Sequence, residues 1–147
     1  MLEKTNLLGA LTTIFIYVLY IVMFVLRLIG LVEIGHWVAS LQFLTVIPFI
    51  YLLSQANKLD RPAIYKVQIA LFLFFLLVEL ILDYLLIIPF REVQWMVIAY
   101  VILFFAAAGG LLGVLAQLED SRFTITGVVL FFIMAISAFV SRAVTGL

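Results

Sequence analysis

Residues 63–87 read Ala63-Ile-Tyr-Lys-Val-Gln-Ile-Ala-Leu-Phe-Leu-Phe-Phe-Leu-Leu-Val-Glu-Leu-Ile-Leu-Asp-Tyr-Leu-Leu-Ile87. The run is apolar almost throughout and long enough to cross a bilayer, which takes about 20 residues as a helix. Helix is required because lipid offers the backbone no hydrogen-bond partner, so each N–H and C=O must be satisfied within the segment. A barrel strand would alternate polar and apolar positions, and this run does not. Two acids, Glu79 and Asp83, interrupt it. An acid near the centre of a membrane helix costs roughly 2.5 kcal/mol or more, so each needs a partner, a proton or a task.

Four further apolar segments lie outward of this one, at about 7–29, 36–55, 93–117 and 123–144. With 63–87 they predict an all-α, polytopic integral membrane protein: one domain, residues 1–147, built as a bundle of five transmembrane helices. Composition agrees. The chain is 68% hydrophobic and 11% charged, where a soluble domain carries about 25% charged residues; its mean hydropathy is +1.39. Eight basic and eight acidic residues cancel, which leaves no basic surface for nucleic acid. The absence of cysteine excludes disulfides, thiolate nucleophiles and cysteine-ligated metals.

Punctuation sets the boundaries. Gly30 and Gly35 bracket the first connection, and Asn57–Pro62 is the clearest polar loop. Pro89 closes the third segment, and Glu119–Arg122 separates the last two. The first run is longer than a signal-peptide core and is read as a retained span. Pro48 predicts a kink that frees the Leu44 carbonyl. Thr45 is placed to compensate, and Ser40 and Gln42 lie within reach of the Glu79 region. Lys58, Arg61 and Lys66 cluster at the second connection, with Lys4 and Arg122 on the same side; Arg27, Arg91 and Arg142 fall on the other. The positive-inside rule then predicts a cytoplasmic N-terminus and an outside C-terminus, in a plasma or inner membrane.

The polar residues at depth carry the functional expectation. Four residues apart on an α-helix, Glu79 and Asp83 share a face. Gln68, eleven residues before Glu79, falls on the same stripe. At about 1.5 Å per residue, Glu79 sits roughly 5 Å past the middle of its segment and Asp83 roughly 11 Å past it. Arg27 and Arg142 lie on the order of 12–13 Å past the middles of theirs, so the two arginines share a layer with Asp83. Arginine suits such a place, because its planar fork grips a carboxylate with two hydrogen bonds. One expectation is a buried ion pair between Asp83 and either arginine that pins the bundle. The other gives the deeper Glu79 a proton or a cation to exchange.

Glu33, His36 and Trp37 form an interfacial group at the start of the second segment, where aromatic residues favour the headgroup level. A single Glu-x-x-His copy supplies too few ligands for a metal or haem site. Gly109 and Gly113 on the fourth segment, and Ser137 and Ser141 on the fifth, have the small-residue spacing that lets membrane helices approach closely. They serve packing within the bundle or a homo-oligomer seam. No Gly-x-Ser-x-Gly, His-Glu-x-x-His or phosphate-loop motif is present, and both deep acids sit on one helix. No metal, cofactor or catalytic residue is therefore expected. The expected function is a small non-catalytic membrane protein, an accessory or assembly subunit that meets lipid and a partner subunit. The alternative is a small proton- or cation-coupled carrier or channel that uses Glu79. Five helices is also the helix count of the translocator/tryptophan-rich sensory protein family. With only Trp37 and Trp95 as tryptophans and no shared motif, the chain is assigned to no family.

Overall fold

The computed structural model describes residues 2–87, 92–117 and 121–145. Pro89, Arg91, Glu119 and Asp120, used above as punctuation and charge, lie outside the described residues. The chain is helical: α1 (Leu2–Leu28), α2 (Val32–Ala39), a 3₁₀ segment (Ser40–Thr45), α3 (Val46–Gln55), α4 (Ala63–Glu79), a π segment (Leu80–Leu85), α5 (Gln94–Leu115) and α6 (Ser121–Thr145). Among the described residues there is no strand. Five helical stretches are long and apolar enough to cross a membrane: Lys4–Leu28, Val32–Gln55, Ala63–Leu85, Gln94–Leu115 and Ser121–Thr145. Each span reverses the direction of the one before. One end of the bundle, called here the proximal end, carries the N-terminus and the loop after Gln55. The other, distal end carries the turn after Leu28 and the C-terminal residues of α4 and α6.

The first connection is shorter than the glycines suggest. Gly30, with φ of 87°, makes the turn, and the second span begins at Val32. Gly35 lies inside α2, where a Cβ would come within 3.3 Å of the Met23 carbonyl and 3.4 Å of the Leu26 Cβ. Its role is to bring α2 against α1. Pro48 sits in the first turns of α3, directly after the 3₁₀ segment. The irregular backbone that proline demands is thus taken up before it, over six residues rather than at one hinge. Thr45 Oγ1 donates to the Gln42 carbonyl and not to that of Leu44.

α1 is the most buried of the five spans and α6 the least. α1 packs on α6, α2, α3 and α5, and α4 packs on α5 and α3. The core is aromatic: Phe49 meets Phe72 edge-on at 5.3 Å, and Phe104 meets Tyr20 at 5.2 Å and Phe75 at 5.5 Å. Small residues on α5 let α1 come close enough for the Tyr17 hydroxyl to donate to the Ala108 carbonyl at 2.6 Å, with Ala107 and Ala108 fully buried. Gly109 faces Phe131 of α6, while Gly110 and Gly113 face Gln68 of α4, whose amide a Cβ on Gly113 would overlap. The α5 glycines thus serve two helices within the bundle. A Cβ on Gly127 of α6 would overlap Leu115 Cδ2, so this glycine sets the approach of α6 to α5.

Candidate functional site

The acid that sits deepest in its span is also the most enclosed. Glu79 is 4% exposed and closes the α-helical part of its span, where α4 passes into the π segment. Tyr100 of α5 donates its hydroxyl to Glu79 Oε2. The Tyr20 hydroxyl of α1 donates to Gln42 Oε1 at 2.7 Å. Arg27, near the end of α1, lies over the Phe24 ring at 5.7 Å. These groups and Arg142 of α6 line one cavity of about 110 Å³ whose remaining walls are mostly apolar, with Phe75, Phe104 and Phe139 among them.

The depths of these groups follow from the helical rise. Measured from the centre of each span, Tyr20, Glu79 and Tyr100 lie about 6–8 Å toward the distal end, and Arg27 and Arg142 about 13–16 Å. Gln42 lies within about 2–3 Å of the centre. The cavity therefore occupies the distal half of the bundle only. Below Gln42 it is closed by residues with no exposure at all, including Ile16, Tyr17, Phe49 and Phe72. The proximal end is tied by Arg61. Its guanidinium donates to Thr5 Oγ1 at 3.2 Å, to Asn6 Oδ1 and to Gln117 Oε1 at 3.4 Å, and it stacks over Tyr65 at 4.8 Å.

The residues singled out from sequence are distributed as follows. Glu79, Arg27 and Arg142 meet around the cavity. Asp83 is half-buried in the π segment and does not line it. A π turn closes i→i+5 bonds, as Leu86 N–H to the Ile81 carbonyl does here at 3.0 Å. Gln68 lies against the α5 glycines, away from the cavity. His36 stacks on Tyr84 of the π segment at 4.3 Å, meets Trp37 edge-on at 5.5 Å, and accepts the Tyr84 hydroxyl on its carbonyl at 2.7 Å. Glu33 and Trp37 are exposed beside it. Ser137 is exposed, with its hydroxyl donated to the Ile133 carbonyl at 2.8 Å, and Ser141 is fully buried. Among the described residues no three His, Asp or Glu side chains come together as a metal site would need.

Gln42, placed within reach of the Glu79 region from sequence, lines the cavity. Two cavity residues were not legible: Tyr20 and Tyr100. Each looks ordinary in an apolar run, since tyrosine is common in membrane helices. Their shared depth was the available signal, because both fall within about 8 Å of the span centres on the distal side.

Comparison with family models, with curated proteins and with solved structures finds no match to this chain.

Proposed function

We propose that the chain is a small non-catalytic membrane protein that works as a carrier or binding subunit through its one-sided cavity, with Glu79 as the proton-exchanging group. The observation that supports this reading is a cavity of about 110 Å³ reaching a carboxyl that is 4% exposed. A bundle whose charges served only as pins would gain by packing that volume, because voids forfeit dispersion contacts. The cavity is large enough for about three or four waters at their liquid volume, a route by which a proton could reach the carboxyl. Cation binding is the weaker half of the carrier idea, since two guanidinium groups share the cavity with Glu79. The placement in a plasma or inner membrane with a cytoplasmic N-terminus belongs to the same proposal and is supported by the basic residues at the proximal end.

The test is proton uptake into proteoliposomes that carry a pH-sensitive dye, driven by an imposed pH gradient. Wild-type protein should give a flux above that of empty vesicles. Glu79→Gln, which keeps shape and hydrogen bonding but not the titrating group, should remove at least about nine-tenths of it. Tyr100→Phe should alter the flux without removing it. Equal flux from wild type and Glu79→Gln, with both eluting as the same folded species, would sink the proposal.

A further inference from the structure

Exposure divides the cavity lining by element. Every lining residue from α1, the second span and α4 is buried. On α5 and α6, Val97, Val101, Phe105 and Ala138 are half-buried and Phe139 is 62% exposed. The cavity therefore opens on the side where α5 and α6 stand. Phe105 and Phe139, stacked at 5.5 Å, bridge the two helices there. Val101, Ala138 and Phe139 lie about 5–9 Å from the centres of their spans. The hydrocarbon core reaches about 15 Å from its midplane. The opening thus faces acyl chains, and what enters by it must dissolve in the bilayer.

The polar groups of the lining favour an uncharged guest. The hydroxyl protons of Tyr20 and Tyr100 are given to Gln42 and Glu79. Arg27, Glu79 and Arg142 have interactions of their own within the protein. A charged guest would have to disrupt those contacts or lie buried without a partner, and both are costly. An uncharged guest leaves them in place.

A cluster of rings supplies much of the remaining wall. Tyr20, Phe24, Phe75 and Phe105 stand 5.1–6.1 Å from Phe104, tilted or edge-on. Ring pairs in such geometries gain more than the area they bury. An apolar molecule already in lipid gains no hydrophobic transfer by entering a protein, because lipid tails are equally apolar. Selection then falls to ring contacts and to the filling of a void. A saturated chain brings only the second. The volume of about 110 Å³ is close to that of the apolar core cavities, about 150 Å³, that take benzene.

We propose that the cavity takes up a neutral, single-ring aromatic molecule from the bilayer, by the side between α5 and α6, and that this guest displaces the water through which Glu79 exchanges protons. The second half rests on the carrier reading above. The apolar walls give water few partners, and replacing poorly held water by an apolar group favours binding.

The test is fluorine NMR of fluorobenzene in lipid nanodiscs that hold the whole protein, against protein-free nanodiscs. A bound signal, distinct from the lipid-dissolved one, should saturate at one molecule per chain. Toluene should compete at least about fivefold more strongly than cyclohexane or n-hexane at equal mole fraction in the membrane. Benzoate should not compete. Ala138→Phe, which adds a ring at the opening, should abolish the bound signal in protein that elutes as wild type does. The ligand series on wild-type protein decides the matter if that variant fails to fold. Absence of a saturable signal, or competition by benzoate, overturns the assignment. Equal competition by n-hexane or cyclohexane also overturns it and makes the cavity a berth for acyl-chain ends. Proton flux, corrected for empty vesicles, should fall at least about fivefold at saturating fluorobenzene. Undiminished flux would overturn the displacement of water. Saturable ring binding in a protein without Glu79-dependent flux would overturn the carrier reading and leave the binding site standing.

Discussion

Arg61→Leu is expected to destabilise the bundle by about 3 kcal/mol, one of the two largest losses available from a single side chain. Arg61 is 9% exposed and ties three chain segments together. Its guanidinium holds Thr5 and Asn6 near the start of α1, and Gln117 just past α5. Asn6 Nδ2 also donates to the Gln117 carbonyl at 3.1 Å, so the acceptors form a network rather than separate pairs. Bonds to a charged donor contribute roughly 1.5–3 kcal/mol each, and members of one network do not add. Leucine would keep much of the bulk but remove the guanidinium's bonds to one buried and two part-buried acceptors. Arg61→Lys keeps the charge and should recover less than half, because one ammonium cannot span partners that a planar fork reaches from two nitrogens. Equilibrium unfolding in mixed micelles measures this. A loss below about 1 kcal/mol for Arg61→Leu would show that the network is solvated and of little weight.

Phe72→Ala is the second large effect, expected at about 3 kcal/mol. Phe72 has no exposure, meets Phe49 edge-on at 5.3 Å and lies 6.0 Å from Phe75. In water such a truncation costs about 3–5 kcal/mol, part of it the transfer of apolar surface. In a bilayer the transfer part shrinks, because lipid tails are as apolar as the core. What remains is the void and the lost ring contacts. Phe74, two residues on and 54% exposed, provides the control. Its ring faces outward, so Phe74→Ala should change stability by less than about 0.5 kcal/mol in the same assay. Equal effects at the two positions would mean that α4 is rotated about its axis from the orientation described.

These two residues also show what could be read from the sequence. Phe72 was legible as part of a spanning helix, because an apolar run of that length leaves the backbone no other solution. Its burial was not, since an apolar residue facing lipid and one facing the core look alike in a membrane sequence. Arg61 was legible as a loop charge and as a vote on orientation. Its partners Thr5, Asn6 and Gln117 come from two distant segments, and that pairing depends on tertiary approach. Counting residues along ideal helices put Arg27 and Arg142 in one layer with Asp83 and left Glu79 about a turn deeper, whereas the cavity lining takes in Glu79 and both arginines. Past Glu79 the α-helix gives way to a π segment, Leu80–Leu85, which counting along an ideal α-helix does not foresee. Nothing in Leu80–Leu85 marks that change locally.

The one-sidedness of the cavity has an electrical consequence. Glu79 lies about 7 Å from the centre of its span, and the hydrocarbon core is about 30 Å thick. A proton that reaches the carboxyl from the distal face therefore crosses about a quarter of the membrane field. A full crossing is worth about 2.3 kcal/mol per 100 mV, so this partial one is worth about 0.6 kcal/mol, or roughly a threefold change in occupancy. If Glu79 exchanges protons as proposed, its protonation should respond to voltage as well as to pH, with a sign set by which face the distal end meets. Proton uptake in vesicles held at defined potentials with potassium and valinomycin reads this directly, and an occupancy indifferent to 100 mV would place Glu79 outside the field. A buried carboxyl in a half-depth cavity is in this sense a voltmeter, even in a protein with no moving gating charge.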